Sequence, residues 1–243
     1  MRFSSARAGY RGGMDYDFTT LPWGDAYKLI VGSVVPRPIG WISTLGPTGT
    51  PNLAPYSFFN AVCANPPMLM FAPVRLEGGR KKDSLANVER TREFVANIVT
   101  EEALPPMDAS SAEVAEDVDE FELAGLTAVS SVVVKAPRVG EAPIHFECVL
   151  EHIVALGDGS EGAGELVIGR IVHADVAERV LRDGKVQPDL LHPVGRMGGP
   201  TYARPELLEF ERKPQPDRRG SSCADVKVPC GRSRRIFGRT EER

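Results

Sequence analysis

Three cations in a row, Arg80, Lys81 and Lys82, follow two glycines and precede Asp83 and Ser84. Ser84 is a residue type that caps helices, and Leu85 with Val88 begins an apolar helical face, so a helix is expected over residues 85–92. A helix start presents unpaired amides and partial positive charge, which attract anions. Phosphate is the natural guest, and an exposed basic loop with an ordinary cap is the plainer alternative. A second group lies upstream: Ser43, Thr44, Asn52, Ser57 and Asn60, with Tyr56, Phe58 and Phe59 among them. Hydroxyls, amides and aromatics set between apolar strands suggest the wall of a pocket. Taken singly, each such residue is more simply read as a strand-edge or turn residue.

The elements that must hold these residues are mostly strands. Residues 34–73 read as strand, turn, strand, loop, strand. Val34, Val35, Ile39, Trp41 and Ile42 supply β-branched and aromatic character, GPTGTPN is a turn cluster, and NPP interrupts regular structure. Gly40 permits close backbone approach. Residues 94–99 alternate as a strand. Residues 101–124 have helical character: Val114, Val118 and Phe121 recur on one face, and Glu113, Glu116, Asp117 and Glu120 fill a solvated face. Asp25 is expected to cap a short helical turn running to Val31.

The second half is strand-rich: VSSVVVK, IHFECVLEHIVAL and ELVIGRIVHADV are separated by turn residues. GDGSEGAG holds a formal G-x-G-x-x-G at Gly157, Gly159 and Gly162. A strand rather than a helix follows it, which excludes a dinucleotide fingerprint. Antiparallel hairpins with few helices favour a barrel over a doubly wound sheet.

The net charge of −4 conceals an asymmetry: residues 211–243 carry ten Lys/Arg and five Asp/Glu, leaving 19 basic and 28 acidic residues in 1–210. An acidic body argues against nucleic acid as the main partner. No apolar run approaches the ~20 residues that cross a bilayer. The four cysteines, Cys63, Cys148, Cys223 and Cys230, form no C-x-x-C pair, and no His spacing suggests a metal site, so a reducing cytoplasm fits. Residues 1–14 are read as a disordered leader, 15–210 as one folded body and 211–243 as a disordered basic tail.

PRPIGWIST, NLAPYSFFNAVCANPP and KKDSLANVERTREFVANIV resemble the flavin reductase-like family, and the similarity spans residues 15–210. The resemblance implies a mainly β, Greek-key-like FMN-binding split barrel and a homodimer with its cofactor site near the subunit interface. It implies Lys82 and Ser84 as phosphate contacts, with Asp83 orienting the loop. The flavin ring system would draw on Ser43, Thr44, Asn52, Ser57 and Asn60, with Ala54, Pro55 and Tyr56 running under its edge. Arg37 is a candidate for the flavin, a neighbouring subunit or the surface. Arg196 and Tyr202 lie in a late loop that would approach the cofactor edge and position a nicotinamide. The implied activity is NAD(P)H-dependent flavin reduction, with NADH or NADPH as donor and oxygen, iron, a free flavin or a partner monooxygenase as acceptor. An FMN-binding electron carrier and a non-catalytic β-barrel are the competing readings. No catalytic acid or base is expected, because the cofactor carries the redox chemistry.

Overall fold

The computed structural model describes residues 13–208 and 210. The leader therefore lies outside the described residues apart from its last two positions, and the tail lies wholly outside them. The account below concerns the compact unit that ends at Arg204.

Helix α1 (Trp23–Ser33) opens the fold, and Pro22 rather than Asp25 stands at its N-cap. Asp25 sits inside the first turn and pairs with Lys28 at 3.0 Å. The strands β1 (Arg37–Pro38), β2 (Gly40–Leu45), β3 (Pro51–Tyr56), β4 (Phe59–Ala64) and β5 (Pro67–Phe71) follow. Helix α2 (Asp83–Thr91) leads into β6 (Glu93–Ile98). After α3 (Leu104–Ala109) and α4 (Glu120–Ala124), the short pair β7 (Ala128–Val129) and β8 (Arg138–Val139) precedes the long hairpin β9 (Ile144–Leu156) and β10 (Gly164–Val176). Its connecting loop holds Gly157, Gly159 and Gly162, all at positive φ.

Seven strands form one antiparallel sheet in the order β3-β2-β6-β9-β10-β5-β4. Strands β3 and β4 are joined by two residues in the chain yet lie at opposite ends of the ladder. All seven strands nevertheless contribute to one core: Ile42, Tyr56, Phe59, Leu69, Phe71, Phe94, Ala96, Cys148, Leu150 and Val167. The sheet must therefore roll around that core, leaving a seam between β3 and β4. Leu85 and Val88 of α2 pack into the same core. Burying one such side chain is worth ~1.5–3 kcal/mol, so these two contacts suffice to seat a nine-residue helix that is marginal alone.

Strand β2 is buried on both faces. Ile42 points into the rolled core, whereas Trp41 joins a second core with Leu53, Met107, Phe121 and Val139. The indole Nε1 of Trp41 donates to Ser110 Oγ at 2.9 Å. Gly40 allows the Phe59 ring to cross β2: a Cβ there would lie 2.3 Å from the ring.

Two expected elements form differently. The helical character of residues 101–124 resolves into α3 and α4 with an irregular stretch between them. Ser110 and Ser111 turn their hydroxyls back onto Met107 O (2.8 Å) and Asp108 O (2.6 Å), ending α3. Asp119 then caps α4 by accepting from the amides of Phe121 (2.8 Å) and Glu122 (3.3 Å). In VSSVVVK only β7 pairs. The amides of Val132, Val133 and Val134 instead donate to the buried Glu147 carboxylate at 2.8, 2.6 and 3.2 Å. Burial alone would raise Glu147, but these amides and His173 hold it below the usual carboxylate range.

Three short pieces follow: β11 (Leu181–Arg182) with β12 (Lys185–Val186), then α5 (Pro188–Leu191). Finally β13 (Gly195–Arg196) pairs with both β1 and β14 (Tyr202–Ala203), which brings the late loop against α1.

Candidate functional site

Strand alternation places Asn52, Ala54 and Tyr56 on one face of β3. That face, the start of α2, the 110–114 segment and Glu120 enclose a bay of about 240 Å³. A second bay of about 400 Å³ lies between α1, β1, α3 and the late loop. The two share Tyr27, Pro55, Ser57 and Ser111, so they adjoin as one elongated cleft.

The helix start is built differently from the expectation. Lys82 occupies the N-cap position and makes no side-chain cap, while Ser84 lies inside the first turn. The Ser84 hydroxyl donates to Asn52 Oδ1 at 3.0 Å. Among the described residues the amides of Asp83 and Ser84 have no acceptor, so both remain available at the positive end of the helix. Arg80, Lys82 and Asp83 line the same bay. Lys81 does not, because Glu89 holds its ammonium at 2.6 and 2.7 Å.

Asn52 is the hub of the bay. Its Oδ1 accepts from Thr44 Oγ1 (2.8 Å) and Ser84 Oγ, and its Nδ2 donates to Glu120 Oε1 (2.7 Å). Glu120 Oε2 accepts from the Leu53 amide at 3.1 Å. Thus Glu120 is buried at the site, not on the solvated face expected for it. Burial pushes its carboxyl above the usual range, against the pull of the Leu53 amide and the Asn52 side chain. The acid run concealed it, because its partners lie 67 and 68 positions away. The preceding Asp119, a strong N-cap type, was the available signal that the run breaks there.

Tyr56 is buried beneath this network, its ring 5.0 Å from that of Phe71. Its hydroxyl has no hydrogen-bond partner among the described residues. Burial pushes the phenol upward, with Asp83 and Glu120 adding to the rise and Ser84 opposing it.

The remaining candidates divide. Ala54, Pro55 and Ser57 line the cleft. Thr44 is fully buried behind Asn52 and tied to Asn87 at 3.1 Å, so it acts through Asn52. Ser43 points to the other face of β2, where it donates to Pro137 O and accepts from Asn97 Nδ2 at 3.2 Å. Asn60 is exposed on β4 and accepts from the Ala61 amide at 2.9 Å, away from both bays. Arg37 is buried rather than on the surface. Its Nη1 donates to Val31 O and Val34 O, both at 2.7 Å; Nη2 reaches Met197 O at 3.0 Å and Nε reaches Ser57 Oγ at 3.3 Å. It ties α1, the turn after β3 and the late loop together at the second bay. There the Arg196 guanidinium lies 4.6 Å from the centroid of the Tyr202 ring, and Tyr202 donates to Asp108 Oδ1 at 3.2 Å.

Residues 31–198 match the flavin reductase like domain. The chain belongs to this family. A protein of Aquifex aeolicus is 41% identical over 178 residues, covering 73% of this chain and 89% of that one. The structure of nitrilotriacetate monooxygenase component B from Bacillus cereus is 35% identical, with a TM-score of 0.79 over 84% of this chain and 100% of that one. A Shewanella frigidimarina protein described as a flavin reductase with a split barrel domain has a TM-score of 0.69 at 23% identity, over 84% of this chain and 100% of that one. The rolled seven-stranded sheet with its β3/β4 seam is therefore a split barrel of the flavin reductase-like type, mainly β with few helices.

Proposed function

We propose that this protein binds FMN and uses it to take reducing equivalents from NADH or NADPH. The observation that carries this reading is the open start of α2, where two free amides and the cations Arg80 and Lys82 face one end of an elongated cleft. That donor set suits a phosphate. The Ala54–Ser57 backbone and the small side chain of Ala54 suit the flat ring system further along. Lys82 supplies charge, the Asp83 and Ser84 amides supply direction, and Asn52 holds the Ser84 turn against β3. When bound, FMN supplies the electron-transfer chemistry, so no protein acid or base is required. The second bay, with apolar walls from Val31, Ile39 and Met107 and with Arg196 at its side, is where the nicotinamide would dock. Arg37 and Arg196 maintain its shape.

We extend the reading to a homodimer, supported by an exposed apolar stripe on and just after α1 (Trp23, Tyr27, Ile30, Val34) beside the cleft. The Bacillus cereus relative is named as one component of a monooxygenase, which supports a partner protein as a final electron acceptor.

The absorbance spectrum of freshly purified or FMN-reconstituted protein tests the cofactor. Steady NAD(P)H oxidation stimulated by free flavin then tests the reductase activity. FMN retention without that turnover would favour an electron carrier. Absence of flavin binding at micromolar concentration would refute both.

A further inference from the structure

The turn that carries Arg80 toward the first bay is held from outside that bay. Residues 73–75 run against residues 162–165, where the β9–β10 loop returns into β10. Arg75 N donates to Ala163 O at 2.7 Å, Gly162 N to Arg75 O at 3.3 Å and Glu165 N to Pro73 O at 3.2 Å. The turn closes on two backbone bonds of its own, Leu76 N to Arg80 O (2.9 Å) and Gly79 N to Leu76 O (3.0 Å). Gly78 and Gly79 both sit at positive φ, and a Cβ on Gly79 would lie 2.6 Å from Gly159 O. Adjacent glycines bring more backbone freedom than other residues, so a turn built on them needs fixing from elsewhere.

Arg75 does the fixing. Its Nη1 donates to Gly79 O at 3.0 Å, and its Nη2 donates to Glu165 Oε1 at the start of β10. The Glu165 side chain is only 6% exposed. Among the described residues, Arg75 Nε and Glu165 Oε2 are buried without a partner, so burial of the pair is not matched by hydrogen bonds. Apolar residues of like volume commonly replace such a pair at no loss of stability. What they do not supply is direction: a planar fork that holds Gly79 O at a set place relative to β10. Leu76, Arg80 and Lys82 line the first bay, whereas the residues of β9, β10 and their loop line neither bay. We propose that Arg75 and Glu165 are positioning residues for phosphate selectivity, clamping the 76–80 turn to the hairpin and so fixing where the Arg80 and Lys82 charges enter the bay. The inference rests on the flavin reading, in which those cations meet the FMN phosphate. It makes a buried ion pair outside the cleft a determinant of FMN over riboflavin.

Fluorescence titrations of the full chain, stripped of any cofactor, test this with FMN and riboflavin. Wild type should prefer FMN. Arg75→Met/Glu165→Leu, which exchanges the pair for apolar residues, should keep a urea midpoint near that of wild type. It should weaken FMN by roughly tenfold, the scale of one charge-assisted hydrogen bond, and leave riboflavin within about twofold. Arg75→Lys keeps a cation beside Glu165 without the fork, so it should show the same selective loss even where the double variant fails to fold. Hydrogen exchange on the flavin-free protein gives a second readout: the Leu76 and Gly79 amides should exchange faster in the variants while the β9–β10 ladder stays protected. An unchanged FMN-to-riboflavin ratio in Arg75→Lys, or equal losses for both flavins, overturns the positioning role and leaves flavin binding intact. Unaltered exchange at Leu76 and Gly79 overturns the clamp. Failure of wild type to bind either flavin overturns the flavin reading and the phosphate role with it.

Discussion

Tyr56→Phe should make the ligand-free protein more stable, although it removes a polar group from the proposed binding cleft. The hydroxyl is buried and unpaired among the described residues. Folding therefore strips its water and returns no hydrogen bond, at a cost of ~1–3 kcal/mol. Phenylalanine keeps the ring and its 5.0 Å contact with Phe71, so no packing is lost. A net gain of about 1 kcal/mol follows, which for a domain of this size raises Tm by ~2–4 °C. Urea unfolding of the flavin-free protein measures it directly: the midpoint should rise while the slope stays constant. A fall in the flavin-free unfolding free energy of ~1 kcal/mol or more would show that the hydroxyl is already paired, and would refute the reasoning.

Other perturbations read different parts of the molecule. Lys82→Ala should weaken FMN binding by ~1–3 kcal/mol and spare riboflavin. Ser84→Ala should weaken both, because Ser84 also positions Asn52; competitive titration with the two flavins separates the cases. Gly40→Ala, whose Cβ would lie 2.3 Å from the Phe59 ring, should destabilise by ~1–3 kcal/mol in chemical denaturation. Folded Glu147 ionises below its ordinary 4.5, so its contribution is complete above that value and is lost as pH falls through the lower, folded one. Glu147→Gln should flatten that acid limb in pH-dependent unfolding and cost ~1.5–3 kcal/mol near neutrality.

Much of the fold was legible because its signals are local. Period-two alternation marks β6, the glycines of residues 157–162 mark a hairpin loop, and Gly40 marks a crowded crossing. The phosphate-seeking loop was legible as a type of place, but its cap was not. Ser84 finds a partner 32 residues away instead of its own helix. Ser43 and Thr44 looked equivalent as adjacent hydroxyls, yet alternation along β2 sends only Thr44 toward Asn52. Glu120 was hidden for the same reason that Glu147 was: each carboxylate satisfies backbone amides that sequence pattern assigns to strands or solvent.

One rim of the sheet has a consequence for assembly. Because Ser43 and Leu53 are opposite each other and the Leu53 amide turns outward, the N–H positions of residues 51, 53 and 55 all face away from β2. Pro51 and Pro55 have no hydrogen to offer there, and Leu53 gives its own to Glu120. A stray extended peptide laid along this border would find carbonyls but no donors, so the border resists zippering into fibres or runaway stacks. Copies of the chain that meet here must do so through side chains.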